Sequence, residues 1–310
     1  MYAKVTITIP RGALELPELH SVFPGLKQRV GDVFDDVTFG NVTLVGKGVA
    51  VDTVTGDNAV VVAHGGEPIN GSFTVTERLS IVGGDSPVDV NVTMFSSAHA
   101  EKPTVLDIVN NKAPITTIIS LRLNSTANER GGFFAISQVN KQSDITSNVT
   151  SQPLDSIVRF AAVTKDANVT ATFPPAYEGR FSLVASRHGR SFVEADTDVE
   201  DPSGEGRKRY LEVKEYFGSI ITGFVGWRGG SITEDYFRGK VKDMWSHADD
   251  GYGDETTEIV DPWEGAVVRE VPHEETVDPP SFSEDGEGAE SYPPTISLVT
   301  STGTNRLYFV

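Results

Sequence analysis

Side chains that could ligate a transition metal or act as nucleophiles are scattered in this 310-residue sequence, which contains no cysteine. No two of the six histidines share one element at metal-ligand spacing. They are His20, His64, His99, His188, His247 and His273. The sequence has no GxSxG elbow, no GxxxxGK[ST] loop and no GxGxxG between a strand and a helix. We therefore predict no catalytic, cofactor-binding or metal-ligating residue, and a protein that is not an enzyme.

One acidic run could in principle hold calcium. Residues 249–255 read Asp-Asp-Gly-Tyr-Gly-Asp-Glu, and hard cations favour carboxylates on a flexible loop, but the spacing matches no EF-hand. The run opens a longer stretch, 249–290, with fifteen Asp or Glu against one Arg, so it holds fourteen of the eighteen net negative charges. Its Pro and Gly content favours a solvated insertion, placed at 248–290, over a calcium site.

Asn-x-Ser/Thr tripeptides occur six times, as expected of a secreted glycoprotein. They begin at Asn41, Asn70, Asn91, Asn124, Asn148 and Asn168. A sequence rich in Ser, Thr and Asn also produces such tripeptides by chance, and no signal peptide is visible. Asn91 lies within a strand pattern, so a glycan there requires a solvent-facing side. The basic cluster 207–209 is too small for a phosphate patch and is interpreted as a solvated loop.

The elements that must position these residues are mainly strands. Period-two alternation is clearest in residues 5–9 and 88–94. Further strands are predicted at 42–51, 59–63, 72–82, 115–123, 133–139 and 158–163. Short helices are predicted only at 14–22, 104–109 and 185–193, none with a sustained 3.6-residue apolar stripe. We find no internal repeat of fixed period and no spanning helix.

Frequent strands without crossover helices favour an all-β fold, an antiparallel β-sandwich. Residues 73–81 and 88–94 are predicted to pair antiparallel. A domain boundary is predicted near residues 99–103, where the alternating pattern ends in Ser-Ser-Ala-His-Ala-Glu-Lys-Pro.

Two segments resemble capsid proteins of picorna-like viruses, the group that includes dicistroviruses, iflaviruses and marine protist viruses. In residues 71–103 a strand ends in Arg78-Leu79, a short loop carries Ser86-Pro87, and an alternating strand runs into an acidic exit that ends at Pro103. Residues 216–239 contain Trp-Arg-Gly-Gly after Phe224. Residues 71–103 resemble the last two strands of one viral jelly roll, and residues 216–239 resemble the middle strand of the next. Residues 177–192 resemble the segment before that second jelly roll.

The resemblance implies parts of two jelly rolls and a polyprotein fragment. Residues 1–103 would be a sandwich domain or the C-terminal half of one jelly roll. Residues 104–175 would be an extended arm, and 176–310 would open a second jelly roll. On physical grounds alone, we expect Phe224 and Trp227 to supply large apolar surfaces for the sandwich interior, and Gly226, Gly229 and Gly230 to allow a bulge or close backbone approach between sheets.

The implied function is a virion shell subunit that assembles around an RNA genome, in the host cytoplasm during assembly. Its partners would be other capsid subunits, homo- and hetero-oligomeric, with viral RNA inside and a host receptor as a further partner, and no membrane. A secreted or surface β-sandwich adhesin that binds carbohydrate or protein is the alternative. A hydrolase on a β-sandwich is a third hypothesis, for which no poised nucleophile is found.

Overall fold

The computed structural model describes residues 14–31, 37–124, 130–185, 189–216, 220–229 and 294–310. Within these ranges the secondary structure consists of sixteen strands, without a helix. The strands are β1 Leu14–Val30, β2 Val37–Ala63, β3 Ile69–Gly84, β4 Val88–Ser96, β5 Thr104–Asn110, β6 Ile115–Leu123, β7 Phe133–Asn140, β8 Ile145–Ser151, β9 Ile157–Thr164, β10 Val169–Phe173, β11 Gly179–Ala185, β12 Arg190–Ala195, β13 Lys208–Tyr216, β14 Ile220–Arg228, β15 Thr295–Thr300 and β16 Thr304–Phe309. The all-β prediction is confirmed.

The strands form two stacked layers that share one core. Sheet 1 has the order β3-β4-β6-β8-β10-β16-β12, and sheet 2 has the order β3-β5-β7-β9-β15-β11-β14-β13. The two sheets join at β3, whose first half pairs with β4 and whose second half pairs with β5. Strand β2 pairs with β3 along both halves, and β1 pairs with β2. Each turn of the chain thus lays one strand on each sheet, as in a solenoid.

Strand direction differs from the sequence prediction. Of the fifteen ladders between described strands, only β11–β14 and β13–β14 are antiparallel. The prediction that residues 73–81 and 88–94 pair antiparallel is wrong: Phe73 lies beside Val92 and Val75 beside Met94 in a parallel ladder. The loop at Gly83-Gly84 resembles a hairpin in sequence. In the structure it carries the chain from the end of β3 on sheet 2 to the start of β4 on sheet 1, where the next winding of the solenoid begins. A jelly roll, by contrast, is built from antiparallel strands.

The C-terminal strands are inserted into the stack. On sheet 2, β15 lies between β9 and β11; on sheet 1, β16 lies between β10 and β12. The chain therefore leaves a place open on both sheets as it runs from β10 to β11, and residues 294–310 fill it. Strands β15 and β16, which fall in the region expected to open a second jelly roll, therefore complete the same stack as β2 to β10.

Alternation along each strand builds the core, because parallel strands in register place like positions side by side. On sheet 1, successive strands contribute one fully buried column: Val49, Ile69, Val88, Ile115, Ile145 and Val169. On sheet 2 the corresponding column is Ala59, Leu79, Leu106, Ile136, Phe160, Ile296 and Phe181. The two inner faces meet in one hydrophobic cluster.

A column of buried polar residues marks the end of the sheet 2 strands. Asn110, Asn140, Thr164 and Thr300 occupy the same register on β5, β7, β9 and β15. The Asn110 and Asn140 amides both donate to the Ala113 carbonyl, at 2.7 and 2.8 Å. The turns between the sheets would otherwise bury unpaired carbonyls, so these side chains satisfy them.

Several predicted boundaries are corrected by these ladders. Residues 104–175, expected to be a connecting arm, form β5 to β10. The expected boundary at 99–103 is the turn from β4 to β5. The short helices expected at 14–22, 104–109 and 185–193 are wrong where described: β1 and β5 cover the first two, and the described part of the third lies on β11 and β12. The other predicted strands lie on strands of the structure, except residues 5–9, which lie outside the described residues together with the acidic insertion 248–290.

The stack also explains why no fixed period is visible in the sequence. Ile115 and Ile145 are register neighbours thirty positions apart, whereas Ile69 and Val88 are nineteen apart. The connections between the strands differ in length, so the pairing repeats regularly in the structure while the number of residues per repeat does not.

Candidate functional surfaces

The outer side of sheet 2 carries a continuous column of β-branched apolar residues. We call it the valine column; its members, in sheet order, are Val62, Val82, Val109, Val139, Val163, Val299, Val184 and Ile220. Val82 and Val109 are 37% and 45% exposed, and the remaining members are half-buried. Outward-facing β-branched residues on eight adjacent strands, seven valines and Ile220, leave a long apolar strip on the described part of this sheet.

Small side chains flank the valine column. The adjacent outward column reads Val60, Ser80, Asp107, Ser137, Ala161, Ser297, Ser182 and Thr222. Charge enters this column at Asp107, which pairs with Arg78 at 2.6 Å. We use the name valine face for the valine column and this adjacent column together. Short side chains in register give a sheet surface that another flat surface can approach closely.

The outer side of sheet 1 is polar. Two outward columns run along it, one with Asn70, Asp89, Thr116, Thr146, Thr170, Arg306 and Phe192, and one with Ser72, Asn91, Ile118, Asn148, Thr172, Tyr308 and Glu194. We call this surface the asparagine face. At its far edge a depression of about 280 Å³ is lined by Glu194, Ala195, Asp196, Tyr308, Phe309 and Val310. The two sheets thus present faces of opposite chemistry.

A cluster of partly buried charged groups lies where the chain enters the antiparallel hairpin β13–β14. Arg207 donates to both carboxylate oxygens of Asp201, at 3.0 Å, and to Ser203 Oγ at 3.1 Å. These bonds, with backbone amides, hold the pKa of Asp201 well below its usual value. Burial raises the pKa of Glu178, and the opposing attraction of Arg207, 3.4 Å away, is smaller.

Arg209 differs from Arg207, although both come from the cluster that the sequence analysis assigned to a solvated loop. Arg209 lies on β13, is buried, and lies over the rings of Trp227 and Phe309 at 5.5 and 5.8 Å. None of its three side-chain nitrogens has a hydrogen-bond partner among the described residues. Burial lowers the pKa of Arg209 to about 10, against the smaller attraction of Glu178 and Asp196. The interpretation of this cluster as a solvated loop is therefore wrong for Arg209.

Arg207 and Arg209 allow the effect of a paired and an unpaired guanidinium on the free energy of unfolding to be compared. We expect Arg209→Met to leave the free energy of unfolding unchanged or raise it by about 1 kcal/mol, because it removes a desolvated cation but keeps its apolar contacts. Arg207→Met should lower stability by roughly 1–3 kcal/mol, since Asp201 loses charge-assisted bonds. Urea unfolding of both variants checks this. Equal losses in both would contradict the assignment of Arg209 as unpaired.

The structure places the other sequence-derived candidates apart. His20 is exposed on β1, and His64 and His99 are exposed in the connections that follow β2 and β4. No group of three or more His, Asp or Glu able to hold a metal occurs among the described residues. His188, His247, His273 and the run 249–255 lie outside the described residues. Trp227 is buried, as the sequence analysis predicted, and donates to the Pro175 carbonyl, whereas Phe224 is half-buried and stacks on Tyr210.

The fold and these surfaces define a parallel β-solenoid with one apolar and one polar face, in which an antiparallel hairpin forms the edge of sheet 2. Comparison with known proteins adds no relative: no family model, no curated protein and no solved structure matches this chain. The described residues also contain no helix long and apolar enough to cross a membrane.

Proposed function

We propose that this protein is a non-enzymatic structural protein that self-associates by packing its valine face against the same face of a second copy. The valine column carries this proposal, because an uninterrupted row of β-branched side chains on the outer side of a sheet costs solvation free energy unless it is covered. A two-fold axis through the column would bring like residues together, as in most soluble homodimers.

The size of the face fits such a contact. Eight strands about 4.8 Å apart extend over roughly 34 Å. The two outward columns of the valine face are about 6.7 Å apart, and one further column spacing on each side of them gives a width of about 20 Å. The resulting area of about 680 Å² per copy approaches the roughly 800 Å² per partner of a standard interface. Sheets with short side chains pack face to face about 10 Å apart.

Charge placed in the middle of the valine column should separate the copies. We expect the full chain to be a dimer at micromolar concentration, and Val139→Lys/Val163→Lys to weaken self-association at least a hundredfold, because four ammonium groups would be buried together. Light scattering coupled to size-exclusion chromatography over a dilution series measures this.

The matched control places the same charges on the opposite sheet. Thr116→Lys/Thr146→Lys also changes two adjacent outward β-branched residues, but on the asparagine face, and should leave the dimer intact. A monomeric wild-type chain at 100 µM (roughly a hundredfold above the expected range), or equal loss in both variants, would overturn the proposal.

The finer proposal is a virion shell subunit. The exposed valine face, which would pack on further copies, and the hairpin β13–β14 with its buried Trp227 support it. The parallel pairing of β3 with β4 removes the support drawn from residues 71–103. Electron microscopy of the concentrated chain separates the outcomes: closed particles support a shell, and discrete dimers oppose it.

A surface adhesin is the second candidate, favoured by the asparagine face. Exposed Phe192 and half-buried Tyr308 lie in neighbouring columns among Thr170, Thr172 and Arg306, an arrangement of aromatic surface and hydrogen-bonding groups suited to a sugar. Binding to an immobilised glycan panel that Tyr308→Ala abolishes would support this function.

A further inference from the structure

We infer that the asparagine face is a glycosylated surface, with N-linked glycans on Asn70, Asn91 and Asn148. This inference does not depend on self-association. It rests on where the folded chain places the six acceptor tripeptides, which the sequence alone leaves indistinguishable from chance matches.

All three asparagines are exposed on the outer side of sheet 1; Asn91 and Asn148 lie mid-strand, and Asn70 is the second residue of β3. In the tripeptides of Asn91 and Asn148 the middle residue, Val92 or Val149, is buried in the core, so the asparagine and the threonine both face outward. Asn91 and Asn148 share a column and are separated by Ile118 alone, at about 9.6 Å between strands. Both amides are therefore accessible in the folded state.

The distribution of all six tripeptides is one-sided. Asn124 follows β6 and is exposed, Asn168 precedes β10, and Asn41 is exposed on β2 where it pairs with β1. None lies on a strand segment that carries the valine face; Asn41 and Asn70 belong to β2 and β3, which also supply members of that face, but both lie outside the segments that carry it. A bulky polar glycan is compatible with a solvated face and incompatible with an apolar docking face, and the tripeptides follow this division.

Asn168 provides an internal contrast. Its amide nitrogen donates to Asp144 at 3.1 Å, and its side-chain oxygen accepts the Thr304 amide at 3.0 Å. The loop before β10 thus uses this side chain to hold the inserted strand β16. A glycan on Asn168 would disturb that contact, so the folded protein should lack one there.

The modification balances as a simple substitution. The asparagine amide nitrogen attacks the anomeric carbon of a lipid-linked oligosaccharide diphosphate. An N–C bond forms, the C–O bond to the diphosphate breaks, and the amide loses one proton. The co-reactant is supplied in the secretory pathway of a eukaryotic cell.

The test measures which asparagines carry a glycan when the full chain is secreted from eukaryotic cells behind a cleavable signal. Enzymatic deglycosylation in ¹⁸O water converts each glycosylated asparagine into an ¹⁸O-labelled aspartate, which mass spectrometry locates. We expect the label at Asn70, Asn91 and Asn148 and its absence at Asn168. Asn→Gln at each of the three should remove one glycan-sized step on a gel. A folded, secreted chain without label, or with Asn168 labelled as fully as the others, would overturn the inference.

A transplanted tripeptide supplies the matched control. Ser137→Asn/Val139→Thr creates the same arrangement on the valine face, with buried Gln138 in the middle. If this glycan blocks self-association while the glycans on the asparagine face do not, the assignment of one face to glycans and the other to docking is supported. If the natural glycans block it equally, the division fails even where the three sites are occupied.

Discussion

A chain that lacks residues 294–310 is expected not to fold. Four fully buried apolar side chains would be lost: Ile296, Leu298, Leu307 and Phe309. At about 1.5–3 kcal/mol each, they contribute roughly 6–12 kcal/mol, which is comparable to the whole stability of an ordinary domain. The deletion also separates β9 from β11 and β10 from β12, so four rows of backbone hydrogen-bonding groups lose their partners.

Loss of near-ultraviolet circular dichroism and of a cooperative thermal transition in the truncated chain would show this. The control ends the chain at Phe309 and removes only Val310, which is 52% exposed; it should melt within a few degrees of the full chain. A cooperative transition in the chain lacking 294–310 would mean that the stack closes without its inserted turn, contrary to the ladders.

Phe309→Ala is expected to cost roughly 3–5 kcal/mol, the usual range for truncating a buried phenylalanine. The ring stacks on Tyr177 at 5.7 Å and contacts Phe173 and Phe181 at 6.3 and 5.8 Å. The aromatic cluster joins the inserted strand β16 to β10 beside it and to β11 on the other sheet, so the cavity cannot close without moving β10 and β11. A drop of roughly 10 °C in melting temperature should follow.

Tyr308→Ala is the matched control, because the neighbouring ring is of similar size but lies on the outer side of β16. It should cost less than about 1 kcal/mol, as outward substitutions usually do. Urea unfolding of the pair measures the difference. Equal losses at both positions would contradict the alternation of β16 and with it the assigned register.

Local patterns predicted the strands well because period-two alternation is a local property. The segments 88–94, 115–123 and 133–139 all lie on strands, since a buried inner face requires an apolar residue at every second position. The valine column was not predicted. Its signal is present at the strand ends, in Val109-Asn110, Val139-Asn140 and Val163-Thr164, but the turns between them differ in length, so the repeat is hidden from a search at fixed period.

The candidate surfaces depended more strongly on the structure. Asn91 was recognised as an acceptor tripeptide on a strand, but only the register with β6 and β8 shows that it shares a column with Asn148. Arg209 and Arg207 are indistinguishable as neighbours in a basic cluster. Their contrast arises because β13 pairs with β14, which buries one guanidinium beside Trp227 and leaves the other against Asp201.

The sequence by itself determined that this protein is built from strands with one buried side, because side-chain alternation is encoded within a few residues of chain. The direction of pairing was decided only in the tertiary structure. Gly83-Gly84 can close a hairpin or start a new turn of the coil, and the outcome depends on which distant strand covers the other edge of β3. The insertion of residues 294–310 likewise depends on two open places in the sheets, which exist only after the rest of the stack has formed.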